Sequence, residues 1–119
     1  MAKILIVDDE PLTLEMLTAF LSLIGHESIG ALSESQTWDK LSYESPDAIL
    51  LDIMLPDGNG LEICRELRTK NELADVPIIM ISAHAPPMIE EAEVAGATAY
   101  LMKPIQLQAL KSVLTDAGL

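Results

Sequence analysis

The chain of 119 residues has one cysteine, Cys64, so neither an intrachain disulfide nor a cysteine-only metal cluster can form. This usage suits a reducing compartment, and Cys64 reads as a small buried hydrophobe on a helix. Aromatic residues are nearly missing: Phe20, Trp38, Tyr43 and Tyr100 complete the set. There is thus no platform on which bases would stack between basic side chains. Positive charge is scarce as well, with 7 Lys and Arg against 19 Asp and Glu and a net charge of -12. That sign argues against direct binding of DNA or RNA, and the expected partners are cations and basic protein surfaces. No apolar run approaches the length of a membrane span, and the run Ile4 to Val7 is too short for the apolar region of a signal peptide. A cytoplasmic protein is expected. Low-complexity stretches, repeats and linker-like composition are also missing.

What is present suits one globular domain over residues 1–119, since 50% of the chain is apolar and only 22% charged. Four short, almost purely apolar runs recur: Ile4 to Val7, Ala48 to Leu51, Ile78 to Ile81 and Tyr100 to Met102. Runs of this length without alternation suit strands buried on both faces, as in an interior parallel sheet. Glu27 to Ala31, mixed in composition and holding Gly30, suits an edge strand.

Between the runs the period becomes helical. Leu14, Leu17, Leu21 and Ile24 share one helix face, with Gly25 where a helix stop is expected. Leu61, Cys64 and Leu67 predict a third helix, and Leu107, Leu110 and Leu114 a last one that ends before Gly118. Shorter helices are predicted over Ser35 to Tyr43 and Met88 to Ala95, with Pro86 and Pro87 setting the first turn of the latter. Alternation of strand and helix implies a doubly wound α/β fold: a parallel sheet with helices on both faces.

In such sheets ligands bind beyond the carboxyl ends of the strands. The first run is followed by Asp8, Asp9 and Glu10, the Ala48 run by Asp52, the Ile78 run by Ser82, and the last by Lys103 and Pro104. Singly, each has an ordinary explanation: acidic residues entering a helix, a strand-end cap, a turn former, a surface lysine. Together at one sheet edge, carboxylates such as Asp8, Asp9 and Asp52 repel, and the usual resolutions are a raised pKa on one of them or a hard cation, for which Mg2+ fits best. Lys103 and Ser82 add an ammonium and a hydroxyl for phosphoryl oxygens, which makes Asp52 the candidate nucleophile.

The segments ILIVDDEP at Ile4 to Pro11, DAILLDIMLPDGNGLE at Asp47 to Glu62, PIIMISAHA at Pro77 to Ala85 and GATAYLMKPI at Gly96 to Ile105 closely resemble the receiver domains of two-component response regulators. The resemblance implies a flavodoxin-like receiver fold with five helices and a five-stranded parallel sheet in the order 2-1-3-4-5. It implies that Asp52 accepts a phosphoryl group from a phosphohistidine of a sensor histidine kinase or phosphotransfer protein. Mg2+ would sit in the acidic pocket of Asp8, Asp9 and Asp52, joined by the backbone carbonyl of Met54. Ser82 matches the switch hydroxyl, Lys103 the ion-pairing lysine, and Tyr100 the aromatic whose rotamer reports the state. The Lys103–Pro104 bond is expected to be cis. A downstream output domain or protein would read the fourth helix, fifth strand and fifth helix, and a dimer contact would use the same face.

Two positions depart from the pattern. Met54 and His84 stand where side chains flank the water that hydrolyses the phosphoryl group, and a thioether orients water poorly, so self-dephosphorylation is expected to be slow. Pro56, Asp57, Gly58 and Gly60 read as a turn into the third helix, its glycines available for positive φ. Three rival readings share parts of this pattern. A flavodoxin-like cofactor binder would need a Ser, Thr and Gly loop after the first strand, where Asp8, Asp9, Glu10 and Pro11 stand. A metal-dependent hydrolase with an aspartyl nucleophile would need a carboxylate at the place of Met54. A pseudo-receiver would lack part of the constellation. The chain is therefore expected to be a signalling switch rather than a turnover enzyme.

Overall fold

The structure is a computed structural model that describes residues 2–119. Five strands form one sheet, and they are β1 (Lys3–Val7), β2 (Glu27–Ala31), β3 (Ala48–Asp52), β4 (Ile78–Ser82) and β5 (Ala99–Met102). All neighbours in it pair parallel, in the expected order β2-β1-β3-β4-β5, with β2 at an edge. Five helices connect and follow the strands: α1 (Pro11–Leu23), α2 (Glu34–Leu41), α3 (Gly60–Arg68), α4 (Ile89–Val94) and α5 (Leu107–Asp116).

The runs in β1, β3 and β4 lack alternation because both faces of the sheet are covered there, whereas β5, expected to be buried on both faces, is the second edge strand and is only half-buried, with Met102 exposed. Successive side chains of a strand point to opposite faces. Leu5, Val7, Ile49, Leu51, Ile78 and Met80 therefore meet Leu61, Cys64 and Leu67 of α3 and Ala92 of α4, with Trp38 and Leu41 of α2 packed against them. Ile4, Ile6, Ala48, Leu50 and Ile79 meet Leu17 and Leu21 of α1 and Leu110 and Leu114 of α5. Each large side chain so buried contributes about 1.5–3 kcal/mol. Cys64 is one of these core residues, and burial pushes its thiol pKa up against the opposing charges of Arg68 and Arg65.

Helix ends show where local chemistry differs from the expected bounds. Gly25, at φ +91°, stops α1 as predicted, with Ile24 as its C-cap. The second helix ends at Leu41, which leaves Tyr43 outside it. The fourth begins at Ile89 with Met88 as N-cap, so Pro86 and Pro87 precede the first turn instead of setting it. Both Ala85–Pro86 and Lys103–Pro104 are cis, the second as expected.

The segment between β3 and α3 is more than a turn. Met54–Leu55 pairs antiparallel with Gly58–Asn59 as a short ribbon. Neither Gly58 nor Gly60 has positive φ, contrary to expectation; among the described residues Gly25, Gly96 and Gly118 do. Gly60 is needed for space instead, because a Cβ there would strike the Asp52 carbonyl oxygen and lie 2.7 Å from Ile53 Cα. Among the described residues no helix is long and apolar enough to cross a membrane.

Candidate functional site

The carboxyl ends of β1, β3, β4 and β5 deliver Asp8, Asp52, Ser82 and Lys103 to one edge. Asp8 follows the last residue of β1 and is fully buried, its N–H donating to the Ala31 carbonyl at 3.0 Å. Asp9 and Glu10, one and two residues further, are exposed. Asp52 ends β3 and is 3% exposed, and Ser82 ends β4 with no exposure. Lys103 follows β5, and its N–H donates to the Ser82 carbonyl at 2.8 Å, which fixes the backbone from which its side chain reaches back across the edge.

The Lys103 ammonium joins three acidic side chains. Its Nζ lies 2.8 Å from Asp8 Oδ2, 2.9 Å from Asp52 Oδ2 and 3.2 Å from Glu10 Oε1. Burial disfavours the ammonium, but hydrogen bonds to Asp8 and Asp52 and the charges of both outweigh it and raise the Lys103 pKa. Asp52 is held above the ordinary carboxylate range, first by burial and then by the Asp8 charge. The Lys103 hydrogen bond, the Met54 N–H at 3.1 Å from Oδ1, and the Lys103 charge all work against that rise. Both resolutions of carboxylate crowding thus bear on one group: a neutralising cation and an upward shift.

Asp8, Asp9 and Asp52 each bring an oxygen into one group whose ligand atoms lie within 4.8 Å of one another. Asp8 Oδ1 accepts from the Glu10 N–H at 2.9 Å, while the buried Oδ2 faces, among the described residues, only the Lys103 ammonium at 2.8 Å. A buried carboxylate oxygen with spare acceptor capacity beside two further carboxylates suits a hard divalent cation. The residues present fit such an ion.

Of the remaining candidates, Ser82, His84 and Tyr100 have hydrogen-bond partners of their own and Met54 faces solvent. Ser82 Oγ accepts from the His84 N–H at 3.0 Å and leaves its own O–H free to donate. The His84 ring turns into its own loop, with Nδ1 2.9 Å from the Pro86 carbonyl, so Nδ1 carries the proton. The side chain of Met54 is exposed at the ribbon's start. Tyr100 is half-buried, and its hydroxyl accepts from the Met88 N–H at 3.1 Å, joining β5 to the entry of α4.

The sequence profile of the response regulator receiver domain matches residues 4–115. This chain belongs to that family. The polar-differentiation response regulator DivK of Brucella ovis is 34% identical over 120 residues, an alignment covering 97% of this chain and 98% of DivK. Among solved structures, the chemotaxis response regulator CheY4 of Vibrio cholerae superposes with a TM-score of 0.91 at 28% identity, covering 98% of each chain. A two-component response regulator from Clostridium difficile gives 0.90 at 27% identity, covering 98% of this chain and 95% of its own. The domain is thus a receiver in two-component signalling, a signalling protein rather than a member of a classical enzyme family.

Two contacts of this receiver leave no specific signal in its sequence. Glu10 shares the Lys103 ammonium; the acidic run announced it, but nothing in the spacing separated it from a solvated helix entry. Asp57 lies in the turn expected of it and also accepts from the Glu34 and Ser35 N–H groups of α2 at 2.8 and 3.1 Å. A bond across 23 residues leaves no local pattern in the sequence.

Proposed function

We propose that residues 1–119 form one phosphorylation-dependent switch in which Asp52 takes a phosphoryl group from a phosphohistidine of a kinase or phosphotransfer protein. The observation that carries this reading is the buried Asp52 carboxylate, ion-paired at 2.9 Å with Lys103 at the open edge of the sheet. In the transfer an Asp52 oxygen forms the O–P bond as the histidine N–P bond breaks. The donor's imidazole, already protonated on its other nitrogen, leaves neutral, and an acyl phosphate remains on Asp52. The Lys103 ammonium balances charge on the transferred oxygens, and the Ser82 O–H is the donor that turns toward them once the acyl phosphate exists. Asp8, Asp9 and Asp52 with the Met54 carbonyl would hold Mg2+, which when bound supplies the charge neutralisation that phosphoryl transfer requires.

The acyl phosphate should persist. Met54 offers a thioether where a water-orienting group would stand, and the His84 ring is committed to the Pro86 carbonyl. The same Met54 argues against a turnover hydrolase, which needs an acid and base at that place. The signal leaves through the α4, β5 and α5 face, where Tyr100 links the switch end of the sheet to α4, toward an output domain or protein or a second copy. The setting we infer is the cytoplasm.

The test is intact mass after incubation with a small acyl phosphate and Mg2+. The wild type should gain one phosphoryl group and Asp52→Asn none; an increment on Asp52→Asn would overturn the assignment. Followed over time, Met54→Asn should lose the group about tenfold faster, a barrier change of about 1.4 kcal/mol. Equal decay would show that Met54 does not set the lifetime.

A further inference from the structure

The ribbon of residues 54–59 begins at the group that touches the acceptor. The Met54 N–H donates to Asp52 Oδ1 at 3.1 Å, and the Gly60 N–H closes the ribbon's base on the Ile53 carbonyl at 2.8 Å. Each of its strands has two residues, and Met54, Pro56, Asp57 and Asn59 are all exposed. A two-stranded ribbon of that length does not hold its shape in water unaided. Its tip needs an anchor.

Asp57 supplies one. Its Oδ1 accepts from the Glu34 N–H at 2.8 Å and its Oδ2 from the Ser35 N–H at 3.1 Å, so both oxygens engage donors that the first turn of α2 leaves without helical partners. The grip is reciprocal. Glu34 Oε1 lies against Gly58, where any Cβ would collide with it, and Glu34 Oε2 accepts from Trp38 Nε1 at 3.0 Å, which keeps the side chain in place. These backbone hydrogen bonds also hold the Asp57 carboxyl below the usual range, so it is ionised at neutral pH.

Capping alone does not account for this. The helix carries its own cap, Ser33 Oγ accepting from the Gln36 N–H at 3.1 Å, with Gln36 Oε1 reaching back to the Leu32 N–H at 2.8 Å. What the distant carboxylate adds is a tie between α2 and the ribbon. We propose that Asp57 is a positioning residue for Asp52: by gripping the start of α2 it holds the ribbon whose first N–H orients the Asp52 carboxylate. Its consequence for phosphoryl uptake rests on Asp52 being the acceptor.

Three variants test it in the intact chain: Asp57→Ala, Asp57→Asn, which keeps one acceptor oxygen, and Ser33→Ala, which weakens α2 without touching the ribbon. Amide hydrogen exchange by NMR, without metal, should quicken at Met54 and Gly60 in Asp57→Ala by about tenfold or more, the scale of one net hydrogen bond. Phosphoryl uptake from a small acyl phosphate at saturating Mg2+ should slow by about tenfold, with Asp57→Asn between the two. Ser33→Ala should lower thermal stability yet leave both readouts near wild type. An unchanged Met54 amide in Asp57→Ala overturns the proposal, as does Ser33→Ala matching Asp57→Ala, or faster exchange with an unaltered uptake rate. A wild type that takes up no phosphoryl group would strike the acceptor assignment instead, and exchange at Met54 would still decide whether Asp57 positions the carboxylate.

Discussion

Lys103 carries more of the site than any other side chain, because one ammonium faces two carboxylates with almost no access to water. Lys103→Met keeps the stem and removes the charge. Breaking a buried pair from one side leaves the partner uncompensated, so the variant should lose about 3 kcal/mol at pH 7 in urea unfolding. The pH dependence has a definite sign. Burial already lifts the folded Asp52 pKa above its ordinary 3.8, so between that value and the folded pKa the folded state binds more protons and stability falls as pH rises. Losing Lys103 lifts that pKa further, so the gap between variant and wild type should be widest near neutrality and shrink toward pH 4. The Lys103 pKa is itself raised, so its pairing is fully present below the ordinary lysine range and is lost only as pH climbs above it. A gap equal at pH 7 and pH 4.5 would show that Lys103 does not neutralise buried carboxylates. Asp8, Asp52, Ser82 and Lys103 were legible because each follows or ends an apolar run, and a strand that stops at the sheet edge puts its next side chain there. The partners of those side chains were not, since Glu10 joins Lys103 only through the path of a long, flexible stem.

At the scale of elements, one residue of α3 fastens two loops. The Arg68 guanidinium donates to the carbonyls of Gly96, Leu73, Ala74 and Val76, between 2.6 and 3.1 Å, and to Thr98 Oγ1 at 3.3 Å. It therefore ties the end of α3 to the turn before β4 and to the turn between α4 and β5. Gly96 is shaped to it, with φ +101° and a would-be Cβ only 2.7 Å from Arg68 Cγ. Lysine has the charge without the fork of five donors, so Arg68→Lys should cost about 2 kcal/mol and speed amide exchange near Gly96 and Val76. A loss confined to a few tenths in urea unfolding would mean that water replaces those bonds without penalty. Such ties were invisible beforehand: Arg68 sits on the helical period like any surface arginine. The same holds for the ribbon of residues 54–59, too short for a period of its own, and for α4, where Met88 as N-cap pushes both prolines outside the helix. Long apolar periods spoke clearly, whereas short elements made by contacts between distant segments did not.

For the molecule as a whole, the net charge of -12 and the acidic end of the sheet act together. The doubly wound layering could be expected because the unbroken apolar runs of β1, β3 and β4 demand cover on both faces, and the two cores supply it, whereas the strand order followed only from the resemblance to receiver domains. The charge has a separate consequence for stability. Asp9 is exposed and belongs to no ion pair among the described residues, so without metal its charge adds only screened repulsion. Asp9→Asn should then stabilise the metal-free fold by about half a kcal/mol or less. If Asp9 is a metal ligand, as proposed, added Mg2+ should reverse the sign. A ligand that binds only the folded state stabilises it by mass action, so Mg2+ about a hundredfold above its Kd should add about 2.7 kcal/mol to the wild type. If Asp9 is a ligand and its loss weakens binding about tenfold, the same Mg2+ concentration adds only about 1.4 kcal/mol to Asp9→Asn. At about 4 °C per kcal/mol for a chain of this size, the two Mg2+-induced shifts in Tm should differ by about 5 °C. Thermal unfolding of both proteins, with NaCl at matched ionic strength to remove general screening, measures the difference directly. Equal Mg2+-induced shifts would take Asp9 out of the metal site and leave its carboxylate as surface charge.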